Sequence, residues 1–154
     1  MYENQLTPRA QGALRRAHQA AEELGHSYVG SEHLLLGLAL EESGSARRCL
    51  LEQAVTADRV REIIVGIVGM GLPGLAPPQG LTPRCRRVIE NAAGEARQSG
   101  SGYVGTEHLL LGILRENGAM ASRVLAAAGA DVKKLRTSLT QRLAAAPRLV
   151  REPG

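Results

Sequence analysis

Apolar residues fall three and four positions apart along most of the chain. Ala10, Ala13, Leu14, Ala17, Ala21 and Leu24 share one helical face, and Cys85, Val88, Ile89, Ala92 and Ala96 share another. Thr7-Pro8 and Thr82-Pro83 supply the starts: a hydroxyl that accepts from first-turn amides, then a Pro whose fixed φ suits the first helical position. Gly25 and Gly100 supply the stops. A second helix is expected to begin at Ser31 or Thr106, each acting as its cap. Glu32 and Glu107 then lie in the first turn, where a carboxylate meets the positive end of the helix dipole. This helix carries Leu34 to Leu36, or Leu109 to Leu111, as core. A third, short helix is expected over 45–53 and 119–128. A fourth starts at Thr56 or Asp131 and carries Val60, Ile63, Ile64 and Ile67, or Val132, Leu135, Leu139 and Leu143. No segment alternates with period two over a strand's length, so the pattern predicts an all-α protein.

The two sets of helices are copies of one another. At a shift of 75, Leu6-Thr7-Pro8-Arg9 recurs as Leu81-Thr82-Pro83-Arg84, and residues 28–37 recur as 103–112 with nine identities in ten. Aligning 6–65 with 81–140 needs no gap and gives 21 identities in 60. A repeat at fixed period means stacked supersecondary units. The expected architecture is two tandem four-helix repeats forming a pseudo-twofold, eight-helix domain over 1–146. Repeat one covers about 6–69, a Gly/Pro-rich linker 70–80, and repeat two about 81–145; residues 147–154 read as a flexible tail or connector.

Composition narrows the function. Among 154 residues only three are aromatic, all Tyr, so stacking on successive nucleobases is disfavoured. The net charge of +4 permits nucleic-acid binding, but the basic residues are dispersed among acids, without an arm or recognition helix. No phosphate-binding Gly-x-x-x-x-Gly-Lys-Ser/Thr string is present, so ATP hydrolysis by this chain is not expected, and no cofactor is expected. Two cysteines make neither a disulfide framework nor a metal motif, and no secretory leader or membrane-length apolar run is visible. A reduced, cytoplasmic setting is the expectation. Cys49 faces Val124 and Cys85 faces Ala10 in the alignment of the copies, which points to apolar packing. His33 and His108 lack a third ligand and read as structural histidines. Gly37 and Gly112, inside helices despite their cost of about 1 kcal/mol, read as close helix crossings.

Leu-Thr-Pro-Arg followed by Tyr-Val-Gly-Ser/Thr-Glu-His-Leu-Leu-Leu-Gly, twice, resembles the Clp N-terminal repeat domain of the ClpC/ClpA-type AAA+ unfoldases, ClpC most closely. The resemblance covers about residues 6–143. It implies a non-enzymatic module that receives protein substrates and adaptor proteins for a Clp ATPase ring, where the chain is part of a longer one. In ClpC-type members it implies recognition of phosphorylated arginine. Two departures stand out: Leu6 and Leu81 replace an aromatic before the Thr, and a Gly-Glu-Gly loop after the second helix is missing.

Phosphoarginine joins a dianionic phosphoryl group to a guanidinium, so its receptor needs anion donors and an acid a guanidinium's width apart. Helix starts offer unpaired amides and a positive dipole end. Thr7 with Ser31, and Thr82 with Thr106, are expected to offer such starts; Arg9 and Arg84 add a cation; Glu32 and Glu107 add a carboxylate suited to a bidentate pair. Each residue also has a plain reading, as cap, first-turn acid or solvated charge. Two other functions stay open: a stand-alone relative that sequesters adaptors or ligands, and a small basic nucleic-acid-binding helical protein.

Overall fold

A computed structural model describes residues 5–74 and 76–145; the expected tail, 147–154, lies outside them. Eight helices follow in order: α1 Pro8–Glu23, α2 Ser31–Leu40, α3 Ser45–Glu52, α4 Ala57–Val68, α5 Pro83–Gln98, α6 Thr106–Arg115, α7 Met120–Ala127 and α8 Val132–Ala145. Among the described residues there is no strand, only two isolated bridges, Leu6 to Val104 and Val29 to Leu81. Thr7 and Thr82 cap α1 and α5 as expected, each hydroxyl accepting from the N–H of the third residue beyond it. Gly25 and Gly100 end these helices at φ 72 and 75, a conformation that favours glycine.

Within each repeat the first two helices cross closely. A Cβ on Gly37 would overlap the Ala13 carbonyl oxygen, and one on Gly112 the Val88 carbonyl oxygen. The obstacle is backbone in both cases, so neither neighbour can turn aside. The middle of each repeat is apolar all round: Leu34, Leu35, Leu36 and Leu38 of α2, and Leu109, Leu110 and Ile113 of α6, are fully buried. A helix apolar on every face has to lie at the centre. Accordingly α2 and α6 pack together, and the outer helices close across the repeat boundary, α3 on α8 and α4 on α7. One continuous core therefore draws on both copies. Cys49 and Cys85 are fully buried within it.

The linker is tied down. Gly71 N–H donates to Leu24 O (2.9 Å) and Gln79 N–H to Ser27 O (2.8 Å), so the linker runs along the loop between α1 and α2. No helix among the described residues is long and apolar enough to cross a membrane.

Candidate functional site

The two bridges decide which helix starts meet. Thr7 N–H donates to Val104 O (3.0 Å) and Val104 N–H to Gln5 O (2.6 Å). In the same way Val29 N–H donates to Gly80 O (2.8 Å) and Thr82 N–H to Val29 O (2.9 Å). The start of α1 is thus joined to the start of α6, and that of α5 to that of α2. The sequence reading paired Thr7 with Ser31 and Thr82 with Thr106. The structure instead pairs Thr7 with the Thr106/Glu107 turn and Thr82 with the Ser31/Glu32 turn. Each candidate site is built from both repeats, because the Thr N–H and the carbonyl two residues before it hydrogen-bond to one extended Val of the other copy.

Ser31 and Thr106 also differ from expectation. The cap residues of α2 and α6 are Gly30 and Gly105, and the two hydroxyls sit one position inside. They cap the opposite repeat: Ser31 Oγ accepts from Ala121 N (3.0 Å) at the start of α7, and Thr106 Oγ1 from Ala46 N (3.3 Å) at the start of α3. The reason lies in Gly44 and Ala119, the cap residues of α3 and α7, which have no side-chain acceptor. Both hydroxyls are buried.

The glycines at the α2 and α6 caps are needed for space. Their φ values, −98 and −97, suit any residue. However, a Cβ on Gly30 would overlap a Glu32 carboxylate oxygen, and one on Gly105 a Glu107 carboxylate oxygen. Each half-buried carboxylate therefore lies folded back over a bare Cα. Burial pushes the Glu32 carboxyl up from the ordinary value, opposed by its own backbone N–H and by His26. Across from it, burial and then the Glu32 charge push the Cys85 thiol up to about 12, so it stays a protonated packing group.

The histidines are structural, as expected. Gly30 N–H donates to His33 Nδ1 (2.9 Å), and Gly105 N–H to His108 Nδ1 (3.0 Å), each giving half of a capping box. Burial, then His26, lowers His33 to about 4. The arginines are less alike than their motif. Arg84 Nε lies 3.7 Å from Glu116 Oε2, drawn toward the end of α6 and away from the bridged helix starts. Arg9 is exposed and forms no ion pair among the described residues. A cleft of about 400 Å³ lies elsewhere, lined by Arg16, Leu40, Arg47, Leu51 and Asp58 among others, and touches none of these residues. Sequence reasoning missed His26, whose alignment partner is Ser101, and missed the space-making role of Gly30 and Gly105. The glycines' recurrence beside the acids was the available signal.

A family model, the Clp repeat (R) N-terminal domain, matches residues 5–118 and again 80–154. The chain belongs to this family. It is 41% identical over 138 residues to the ATP-dependent Clp protease ATP-binding subunit ClpC of Staphylococcus epidermidis, covering 90% of this chain and 17% of that protein. To the chaperone protein ClpB of Oceanobacillus iheyensis it is 39% identical over 140 residues, again covering 90% and 17%. Among solved structures it is similar to the N-terminal domain of the caseinolytic protease associated chaperone ClpD from Arabidopsis thaliana, with TM-score 0.77, 27% identity, and 91% and 98% of the two chains covered. The Hsp104 N-terminal domain from Candida albicans, 17% identical with TM-score 0.73 and 94% of each chain covered, shares the fold. This Clp repeat domain thus spans about a sixth of the length of those curated relatives.

Proposed function

We propose that this Clp repeat domain is a non-catalytic recognition module that presents substrate proteins and adaptors to a Clp ATPase ring, and that it binds phosphoarginine at two sites. The proposed setting is the cytoplasm. The carrying observation is a carboxylate seated over a bare glycine beside a helix start from the other repeat, formed twice. In the first site Glu32 holds the guanidinium, while Thr82 and the start of α5 face the phosphoryl group. In the second, Glu107 does so with Thr7, Arg9 and the start of α1. Pro83 and Pro8 have no N–H, so the first amides available are those of Arg84 and Arg9. Each Thr hydroxyl accepts the N–H of its helix's third residue and keeps a proton to donate. Ser31 and Thr106, by capping α7 and α3, tie the starts of α2 and α6 to the opposite repeat. Arg84 reaches the phosphoryl group on leaving Glu116, an exchange that is cheap between partly exposed charges.

Calorimetry with free phosphoarginine tests this reading. Wild type is expected to bind two equivalents. Losing a charge-assisted pair costs about 1.5–3 kcal/mol, or roughly 10- to 150-fold in affinity. Glu32→Ala should therefore remove one equivalent, and adding Glu107→Ala should remove both. Thr82→Val combined with Glu32→Ala should leave the second equivalent intact, whereas Thr7→Val combined with Glu32→Ala should weaken it. Unchanged stoichiometry in the folded double Glu variant would refute the assignment.

A further inference from the structure

The two sites share a Thr-Pro-Arg motif, but the acid that faces each motif's helix is engaged differently. In repeat one Glu41, which ends α2, pairs with Arg16 Nε at 3.3 Å. No ion pair among the described residues joins it to Arg9. In repeat two the aligned acid is Glu116, which ends α6 and meets three side chains of α5. Asn91 Nδ2 donates to its Oε1 at 3.2 Å, while Arg87 Nη1 lies 3.5 Å and Arg84 Nε 3.7 Å from its Oε2. Three aligned positions account for the difference. Arg16 aligns with Asn91, so the cation that engages Glu41 has a neutral counterpart. Gly12 aligns with Arg87; a Cβ on Gly12 would overlap the Glu41 carboxylate, so a side chain at 87 denies Glu116 the equivalent seat. Ser43 aligns with Gly118, and a Cβ on Gly118 would stand 2.7 Å from Arg84 Nη1.

The Arg84 guanidinium therefore rests in a seat on the turn after α6, with Glu116 as its counter-charge and Gly118 as the gap that admits it. Gly118 is not among the glycines with positive φ, so it serves here by its missing side chain. The Glu116 side chain is 13% exposed against 46% for Arg84, so water screens the acid less than the cation it holds. Repeat one has neither half of this seat for Arg9: its acid is taken by Arg16, and its turn carries Ser43.

We propose that Glu116 and Gly118 are positioning residues that set the affinity of the Glu32 site, by holding Arg84 back from the phosphoryl group. A dianion arriving at the start of α5 has to draw Arg84 off Glu116, and it does so near a carboxylate of its own sign. Both effects weaken binding at that site. The pair is partly exposed, so the seat tunes the site and does not close it. Asn91 decides the outcome one step further back: an arginine there would engage Glu116 as Arg16 engages Glu41 and release Arg84. As tuning of a ligand site this rests on the function proposed above, but the seat itself is readable without ligand.

Three variants separate charge from space. Glu116→Gln keeps an oxygen for Asn91 and drops the charge. Gly118→Ala changes no charge and puts a methyl group in the seat, where the flexible end of Arg84 is what has to move. Asn91→Arg supplies the missing partner. The first arm is NMR relaxation of the Arg84 Nε–Hε bond in the unliganded domain. Its order parameter should fall in all three variants, from above to below the flexible limit of about 0.6. Unchanged mobility in Glu116→Gln and Gly118→Ala would overturn the seat. The second arm is calorimetry with free phosphoarginine in a Glu107→Ala background, which leaves the Glu32 site to be measured alone. Each variant should tighten binding about two- to fivefold, the range of a partly exposed pair. Raised mobility with unchanged affinity would overturn the effect on the site. Tightening in Glu116→Gln without any in Gly118→Ala would reduce Glu116 to a distant charge and overturn the seat as its cause. Absence of phosphoarginine binding in the Glu107→Ala domain and in every variant would refute the ligand assignment and with it the tuning, while the relaxation arm still decides whether the seat holds Arg84.

Discussion

Ser31→Ala removes the acceptor of an amide 90 positions away, the Ala121 N–H at 3.0 Å. The start of α7 has no substitute, since its cap residue is Ala119 and its side chain is a methyl group. A lost cap costs about 1 kcal/mol. A buried amide left without partner raises this toward the 1–3 kcal/mol of an unsatisfied group. Ser31 is only 2% exposed, so water does not readily replace the hydroxyl. We expect about 2 kcal/mol, which for a chain of this size is a fall in Tm of roughly 4–8 °C. Urea denaturation gives the size and hydrogen exchange gives the place. Exchange at Ala121 should accelerate about 30-fold, the kinetic equivalent of 2 kcal/mol. The amides of His33 and Leu34, which donate to Gly30 O at 3.1 and 3.2 Å, should keep their protection. If exchange instead accelerates at His33 and Leu34 while Ala121 is unchanged, the hydroxyl caps its own helix and the cross-repeat account fails. Thr106→Val should show the mirror effect at Ala46, smaller because its bond is longer at 3.3 Å.

Gly37→Ala should destabilise the domain by about 2–4 kcal/mol in urea denaturation, because the new methyl meets the fixed Ala13 carbonyl; a loss under about 1 kcal/mol would contradict the close crossing. Ala54 holds φ 60 where repeat two has Gly129 at φ 78, so Ala54→Gly should raise the unfolding free energy in urea denaturation by up to about 1 kcal/mol, and a lowered value would refute the strain. His33 stays neutral in the fold down to about 4, whereas the unfolded chain takes up its proton near 6.5. The unfolded state then binds more protons, so this contribution to stability is fully present above 6.5, falls as pH drops toward 4, and totals about 3 kcal/mol. Denaturation curves from pH 8 to 4 should show that slope, and His33→Gln should flatten it.

The helices were legible in the sequence because each carries its own signals. Thr-Pro starts, glycine stops and apolar residues at helical spacing act within a few residues, so α1 to α8 follow from local chemistry. The duplication was legible as well, and with it the two Glu-His strings and the helix-interior glycines. A pairing between copies is a different matter. Whether Thr7 meets Ser31 or Thr106 depends on one extended residue hydrogen-bonding across the repeat boundary, and identical motifs are silent on which copy they bind. Capping shows the same limit. Ser31 looks like the cap of its own helix, but Gly44 and Ala119 leave amides unsatisfied in the other repeat, and only the tertiary arrangement brings hydroxyl and amide together. The line of hydrogen bonds that joins His33, His26 and the Gly69 carbonyl was beyond reach for the same reason. Its members stand at 26, 33 and 69, and a hydrogen bond is decided by distances of a few tenths of an ångström, which the folded core sets and residue spacing does not.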